Sequence, residues 1–120
     1  MKTIKMVTKL FEFEAAHKLD IPTAGKCQRL HGHTYKLEIS VAGDINPETG
    51  MIVNFSDLKK FVNDEIIEKF DHFYLNDLFS LPTAENMGDW IWDKVEASGF
   101  NICRLRLWET SDSYFERVEY

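Results

Sequence analysis

The chain has 120 residues, of which 44% are hydrophobic and 28% charged, and its formal net charge at pH 7 is −6. This composition predicts one globular domain spanning residues 1–120 and excludes a largely disordered chain. The negative charge argues against nucleic acid or an anionic membrane as the main partner. No apolar run reaches the ~20 residues of a membrane span, and the charged start is unlike a signal peptide. We therefore expect a cytoplasmic protein.

Two strands are predicted in the first third of the chain. Residues 4–16 are extended, and in their second half Phe11, Phe13 and Ala15 alternate with glutamates. Residues 34–42 are also extended: Tyr35, Leu37, Ile39 and Val41 alternate with Thr34, Lys36, Glu38 and Ser40, as expected of a strand with one solvated face. The polar residues 17–33 are predicted to form the loop between these strands.

Two helices and two further strands are predicted in the rest of the chain. Ser56 is predicted to cap a helix whose apolar positions extend to Phe70, and Thr83 a second helix that ends before Gly99. Strands over 101–110 and 113–119 complete the order ββααββ. This order indicates an α+β domain with an antiparallel sheet. Because a four-stranded sheet leaves two unpaired edges, joining of sheets between subunits is plausible.

Three of the four histidines flank the polar loop. His31 and His33 are two residues apart, so on an extended backbone their imidazoles face the same side, and His17 at the end of the preceding strand can join them. Three ligands with an open fourth position are typical of catalytic zinc, so zinc is the expected metal. The alternatives are a chance meeting of loop histidines and an H-x-H pair that only bonds to backbone.

Cys27 lies within the same loop and has three possible roles. It could be a fourth metal ligand that makes the site structural, or a small buried hydrophobe. A thiol near a metal cation and near Lys26 or Arg29 would instead form its thiolate more easily and act as a base or nucleophile. Because the only other cysteine, Cys103, is far away in sequence, free thiols are expected.

Two further candidates carry acidic groups. Asp71 and His72 form an adjacent acid and imidazole at the end of the first predicted helix, which is either a surface dipeptide or an oriented proton-transfer pair. Glu109 lies among apolar residues of the third strand. It either points to solvent or presents a carboxylate that reads an amide-like or guanidine-like ligand edge.

The segments FEFEAAHKL, CQRLHGH, FDHFYLND, PTAEN and WET together resemble the 6-pyruvoyltetrahydropterin synthase family over nearly the whole chain. Within it they are most similar to the branch that forms 6-carboxy-5,6,7,8-tetrahydropterin in 7-deazaguanine and queuosine biosynthesis. The three residues between Cys27 and His31 match that branch, whereas the pyruvoyl-forming branch has a longer gap.

The resemblance implies a role for each candidate. The family's zinc histidines fall on His17, His31 and His33. Its catalytic cysteine falls on Cys27, its Asp-His pair on Asp71 and His72, and its pterin-anchoring glutamate on Glu109. Thr83 and Glu85 match a segment near the pterin, although Thr83 could simply cap its helix.

The resemblance also implies the assembly and the reaction. The fold would be the tunnelling fold (T-fold), with two helices on one face of a four-stranded sheet and sheets joined into a barrel between subunits. Two trimers would stack as a homohexamer with active sites between subunits. The enzyme would be a zinc-dependent lyase that converts 7,8-dihydroneopterin triphosphate and water to 6-carboxytetrahydropterin, acetaldehyde and triphosphate.

Three questions stay open at the level of sequence. The acidic net charge is unfavourable for a triphosphate substrate unless Lys18, Lys26 and Arg29 supply local compensation. A pyruvoyl-forming synthase is the nearest alternative. A non-catalytic zinc-binding or pterin-binding protein is the alternative from another class.

Overall fold

The computed structural model describes residues 1–120, apart from the side chain of Cys27. It confirms the predicted antiparallel sheet with two helical segments. The strands pair in the order β1-β2-β3-β4. Their bounds are β1 Met6–His17, β2 His31–Ala42, β3 Ile102–Thr110 and β4 Ser113–Val118.

The hydrophobic core lies between one face of this sheet and the helices. The alternation predicted for β2 is confirmed from Tyr35 to Ile39, because Tyr35, Leu37 and Ile39 are completely buried while the residues between them are partly exposed. It is wrong at Ser40, which was expected on the solvated face but is buried, with its hydroxyl 2.7 Å from that of Thr8. Phe13 of β1 stacks on Tyr35 with ring centroids 4.9 Å apart and an interplanar angle of 7°. Each fully buried side chain of this size stabilises the fold by about 1.5–3 kcal/mol.

The N-cap of the first helical segment lies two residues before the predicted one. Asn54, not Ser56, is the N-cap, since its side-chain oxygen accepts from the Ser56 backbone N–H at 2.8 Å. Asn and Ser are both good caps, and Ser56 already lies inside the helix. The segment consists of α1 Phe55–Val62, a π turn Asn63–Ile67 and α2 Glu68–Phe70. The sequence pattern did not predict the π turn.

The second helical segment, α3 Ala84–Ala97, is the predicted helix after Pro82. Thr83 caps it as expected, because its hydroxyl accepts from the backbone N–H of Asn86 at 3.2 Å. Gly99 follows its end with a φ of 101°, which a glycine adopts without strain. The described helices include none long and apolar enough to cross a membrane.

The segment between β1 and β2 is shorter and contains more regular structure than the predicted loop over residues 17–33. Residues Pro22–Gln28 form a 3-10 segment interrupted at Gly25, and His31 and His33 already belong to β2. His17 is the last residue of β1. The three histidines therefore lie on paired strands, which hold side chains more rigidly than a loop does.

Helix α3 approaches the sheet closely at Gly88. A Cβ at this position would lie 2.5 and 2.6 Å from two ring carbons of Phe115 on β4. We expect Gly88→Ala to lower the free energy of unfolding by about 1–3 kcal/mol, because a methyl group has no room there. Denaturant unfolding followed by circular dichroism measures this loss.

Gly43→Ala is the matched control, because its Cβ would approach a single side-chain methyl, Ile52 Cγ2 at 3.2 Å, and should cost less. Adding Phe115→Leu to Gly88→Ala should restore part of the lost stability. A Gly88→Ala protein as stable as the parent would show that Phe115 moves aside at no cost.

Candidate metal centre

The sheet register brings four potential metal ligands to one end of its core face. In the β1–β2 ladder, His17 lies directly opposite His31, and Ala15 lies opposite His33. All these residues continue the odd-numbered, core-facing rows of their strands. Because Leu37 pairs with Leu107, the same register places Glu109 beside Tyr35 at this end of the sheet. The predicted convergence of three histidines is thus present, and Glu109 joins it.

The ligand atoms of these four residues lie close together. The Nε2 atoms of His17 and His31 are 2.9 Å apart. The Glu109 Oε1 atom lies 3.2 Å from His17 Nε2 and 3.1 Å from His33 Nε2. All four ligand atoms fall within 4.8 Å of one another. This spacing suits one metal ion bound by three imidazoles and one carboxylate oxygen.

Backbone carbonyls orient two of the imidazoles. His17 Nδ1 lies 2.9 Å from the carbonyl oxygen of Pro82, and His31 Nδ1 lies 2.7 Å from that of Arg29. A carbonyl only accepts hydrogen bonds, so each Nδ1 must carry a proton. In neutral imidazoles the Nε2 lone pairs then face each other, which is unfavourable unless a cation lies between them. This arrangement is typical of metal-binding histidines.

His33 supplies a third donor without a partner. Its Nε2 is buried and makes no hydrogen bond within the described part of the chain, although Glu109 Oε1 is near, because the geometry is not aligned for one. Burial is the main cause that lowers the pKa of His33, so the neutral, ligating form is favoured. An unpaired buried nitrogen that faces other ligand atoms fits a metal site.

The lowered pKa of Glu109 also indicates that a cation belongs in the cluster. Its pKa is lowered first by a hydrogen bond with His17 and further by the charges of the neighbouring histidines, against the effect of burial. Such a hydrogen bond needs a proton on a ring nitrogen that faces the carboxylate, whereas a bound cation would draw the carboxylate toward the ring nitrogens without one. Either an extra proton or a metal cation must therefore hold the cluster together.

The buried hydroxyl of Tyr35 contacts His17 on the side of the ring away from the other ligand atoms. The Tyr35 oxygen lies 3.0 Å from His17 Nδ1, and burial is the main cause that raises the Tyr35 pKa far above its ordinary value. The phenol therefore stays protonated and neutral. Sequence reasoning missed the Pro82 carbonyl and the Tyr35 hydroxyl, since neither a main-chain oxygen nor a core tyrosine carries a recognisable metal-site pattern.

Asp71 and His72 form the predicted pair. Asp71 Oδ2 lies 3.0 Å from His72 Nδ1, and Oδ1 accepts from the backbone N–H of Glu14 at 2.9 Å. That backbone hydrogen bond is the main cause that lowers the Asp71 pKa. His72 has a φ of 62°, rare for a residue with a side chain, and its backbone N–H donates to the Glu14 carbonyl. His72 and His33 line the same open groove of about 540 Å³.

Glu109 and Glu85 line a second cavity of about 370 Å³ between the start of α3 and β4. Thr83 caps the helix at this point, as one of its two predicted roles required. The side chain of Cys27 lies outside the described residues, so the prediction for it stays a prediction. The structure thus brings Glu109 to both the histidine cluster and this cavity.

Comparisons with known proteins agree with the resemblance seen in the motifs. A family model described as 6-pyruvoyl tetrahydropterin synthase matches residues 6–119. The chain is 34% identical to the 6-carboxy-5,6,7,8-tetrahydropterin synthase of Haemophilus influenzae, over 94% of this chain and 98% of that protein. It is 42% identical to the protein of the same name from Synechocystis, over 78% of this chain and 77% of that protein.

A solved structure shows the same fold. The 6-pyruvoyl tetrahydropterin synthase of Caenorhabditis elegans superposes with a TM-score of 0.87 at 23% identity, over 98% of this chain and 97% of that one. The four-stranded sheet and two helical segments are therefore the T-fold arrangement of that protein.

The cluster predicts one divalent metal ion per chain. Replacing both His31 and His33 with alanine should reduce bound metal nearly to zero, because it removes two of the four converging donors. Elemental analysis after dialysis measures the bound metal. His72→Ala is the matched control, since this fourth histidine lies outside the cluster and should leave metal content unchanged. Full occupancy in the double variant would refute the site.

Proposed function

Because the chain belongs to the 6-pyruvoyl tetrahydropterin synthase family, we propose that it is a zinc-dependent 6-carboxy-5,6,7,8-tetrahydropterin synthase. As a member of this family it is a pterin lyase. The proposed reaction converts 7,8-dihydroneopterin triphosphate and water to 6-carboxytetrahydropterin, acetaldehyde and triphosphate. We further propose that the reaction serves 7-deazaguanine and queuosine biosynthesis in the cytoplasm.

The observation that carries this proposal is the inward-facing set of imidazole nitrogens at His17, His31 and His33. Imidazoles with a carboxylate are a ligand set that suits zinc. Bound zinc would act as a Lewis acid that polarises a substrate oxygen and makes adjacent protons easier to remove. The protein's own residues must then move those protons.

His72 and Cys27 are proposed to transfer protons. Because Asp71 holds His72 at Nδ1, the Nε2 atom is the one available to a substrate in the groove shared with His33. A base oriented by a carboxylate is the usual arrangement for proton transfer. Cys27 is proposed as the general base, as the resemblance implies.

Glu109 and Glu85 are proposed to bind the pterin. Ala84, Tyr114 and Phe115 offer an apolar surface to a flat ring in the cavity beside them, and Ser113 and Glu116 complete its lining. The Glu109 carboxylate can accept two hydrogen bonds from the 2-amino and N3 positions. Thr83 supports this cavity by fixing the start of α3.

Assembly is proposed to be a homohexamer of two trimers built from single-domain chains of residues 1–120. The sheet has free edges at β1 and β4, and β1 is only partly covered by the backbone near Tyr74. Pairing of such edges between subunits would remove their unpaired backbone groups. In this arrangement Cys27 and the Asp71–His72 pair meet across an interface.

Incubation with 7,8-dihydroneopterin triphosphate tests the proposal directly. The expected products are acetaldehyde and 6-carboxytetrahydropterin, detected by derivatisation and mass spectrometry. A pyruvoyl side chain with no acetaldehyde would assign the chain to the pyruvoyl-forming branch. Absence of any product from metal-loaded protein would favour the non-catalytic alternative.

Cys27→Ala should retain metal and fold yet lose about 10²–10⁴-fold in turnover, the contribution of a positioned general base. Acetaldehyde release and metal content are measured on the same sample. Cys103→Ala is the matched control. Cys103 is buried near the start of β3, at the other end of the strand from Glu109, so its substitution should leave turnover nearly unchanged. Loss of metal in Cys27→Ala would instead make Cys27 a ligand.

The proposed shared site predicts complementation between two inactive variants. Cys27→Ala and His72→Ala subunits, unfolded and reassembled together, should recover part of the activity, because some interfaces then combine an intact Cys27 with an intact His72. Each variant refolded alone is the control. No recovery from mixtures of confirmed mixed composition would place both residues within one subunit's site.

A further inference from the structure

Glu109 is the one residue that belongs both to the histidine cluster and to the cavity beside β4 among the described residues. We propose that Glu109 is a fourth metal ligand while this cavity is empty and leaves the metal to bind the ring that fills it. The ring's arrival would thereby open a coordination position for the substrate's side chain. This inference rests on the proposed function.

The distances place Glu109 within bonding range of the same ion as the histidines. Donor atoms around a tetrahedral zinc lie about 3.3 Å apart, given bonds of about 2.0–2.1 Å. Glu109 Oε1 lies 3.2 Å from His17 Nε2 and 3.1 Å from His33 Nε2. The Nε2 atoms of His17 and His31 are 2.9 Å apart. Glu109 is therefore spaced like a ligand of the set.

The cavity competes for the same carboxylate. Glu109 lines it together with Glu85, Tyr114 and Phe115. A ring that presents two N–H groups needs two acceptor oxygens in its plane, and an oxygen bound to a metal is a weaker acceptor. The Glu109 side chain is 29% exposed, so it has room to change its contacts.

The backbone at this point is built irregularly. The pairing of β3 with β4 shifts register between Trp108 and Thr110, so the irregularity falls on Glu109 itself. Bulges of this kind occur beside active sites, where they redirect a side chain. Here the redirected side chain is the one that faces two binding sites.

Exchange of Glu109 between sites would couple metal and ring binding. A ring that removes one metal ligand must weaken metal binding by some factor, and by linkage the metal must weaken ring binding by the same factor. A variant without this carboxylate should show no such coupling. The coupling is therefore specific to Glu109 and measurable without turnover.

Cobalt-substituted protein and unsubstituted pterin test the exchange. Co²⁺ reports its ligand set through visible absorption, and pterin without a 6-substituent fills the cavity but brings no side-chain oxygens to the metal. We expect pterin to change the Co²⁺ spectrum of the parent protein. We expect Glu109→Gln and Glu109→Ala to bind Co²⁺ at least about tenfold more weakly, and their spectra to be insensitive to pterin.

Ser113→Ala is the matched control, because Ser113 lines the same cavity but lies outside the cluster. Its Co²⁺ affinity and spectrum should equal those of the parent. Parent-like Co²⁺ binding and spectra in both folded Glu109 variants would overturn the ligand role. Pterin that binds, by its fluorescence, without changing the parent spectrum would overturn the exchange alone. Failure of pterin to bind at all would overturn the proposed function as well.

Discussion

Two backbone carbonyls determine the chemistry of the whole site. The oxygens of Pro82 and Arg29 fix a proton on Nδ1 of His17 and His31, and so turn both Nε2 lone pairs inward. Without an extra proton or a metal cation between them these lone pairs repel each other, which lowers the stability of the fold. A bound metal removes that repulsion, so metal binding and stability are expected to be linked.

The sheet makes this arrangement possible because side chains in paired strands have fixed neighbours. His17 and His31 are opposite each other in the ladder, and His33 follows two residues later on the same face. A shift of one residue in this register would turn the histidines to the solvated face. The buried alternation of Phe13, Tyr35 and Leu37 prevents that shift, so the packing of the core also defines the ligand set.

How much of this is readable from sequence depends on whether the signal is local. The strand alternation and the spacing of His31 and His33 were predictable because they follow from a period of two. The cap at Asn54 instead of Ser56 was not, since both residues suit the position and packing decides. The π turn leaves no mark on the apolar pattern. That Glu109 reaches the histidines depends on the pairing of β2 with β3, which joins residues far apart in the chain.

Helix α3 links the metal cluster with the cavity next to it. The carbonyl of Pro82, just before the helix, orients His17, and Thr83 fixes where the helix starts. One turn later the helix lies against β4, where Gly88 leaves room for the ring of Phe115, which lines the cavity. A displacement of this helix would therefore move both the carbonyl that orients His17 and the wall of the cavity. The close contact between Gly88 and Phe115 fixes the distance between the metal cluster and the cavity. The Glu109 carboxylate lies between the two and must reach both.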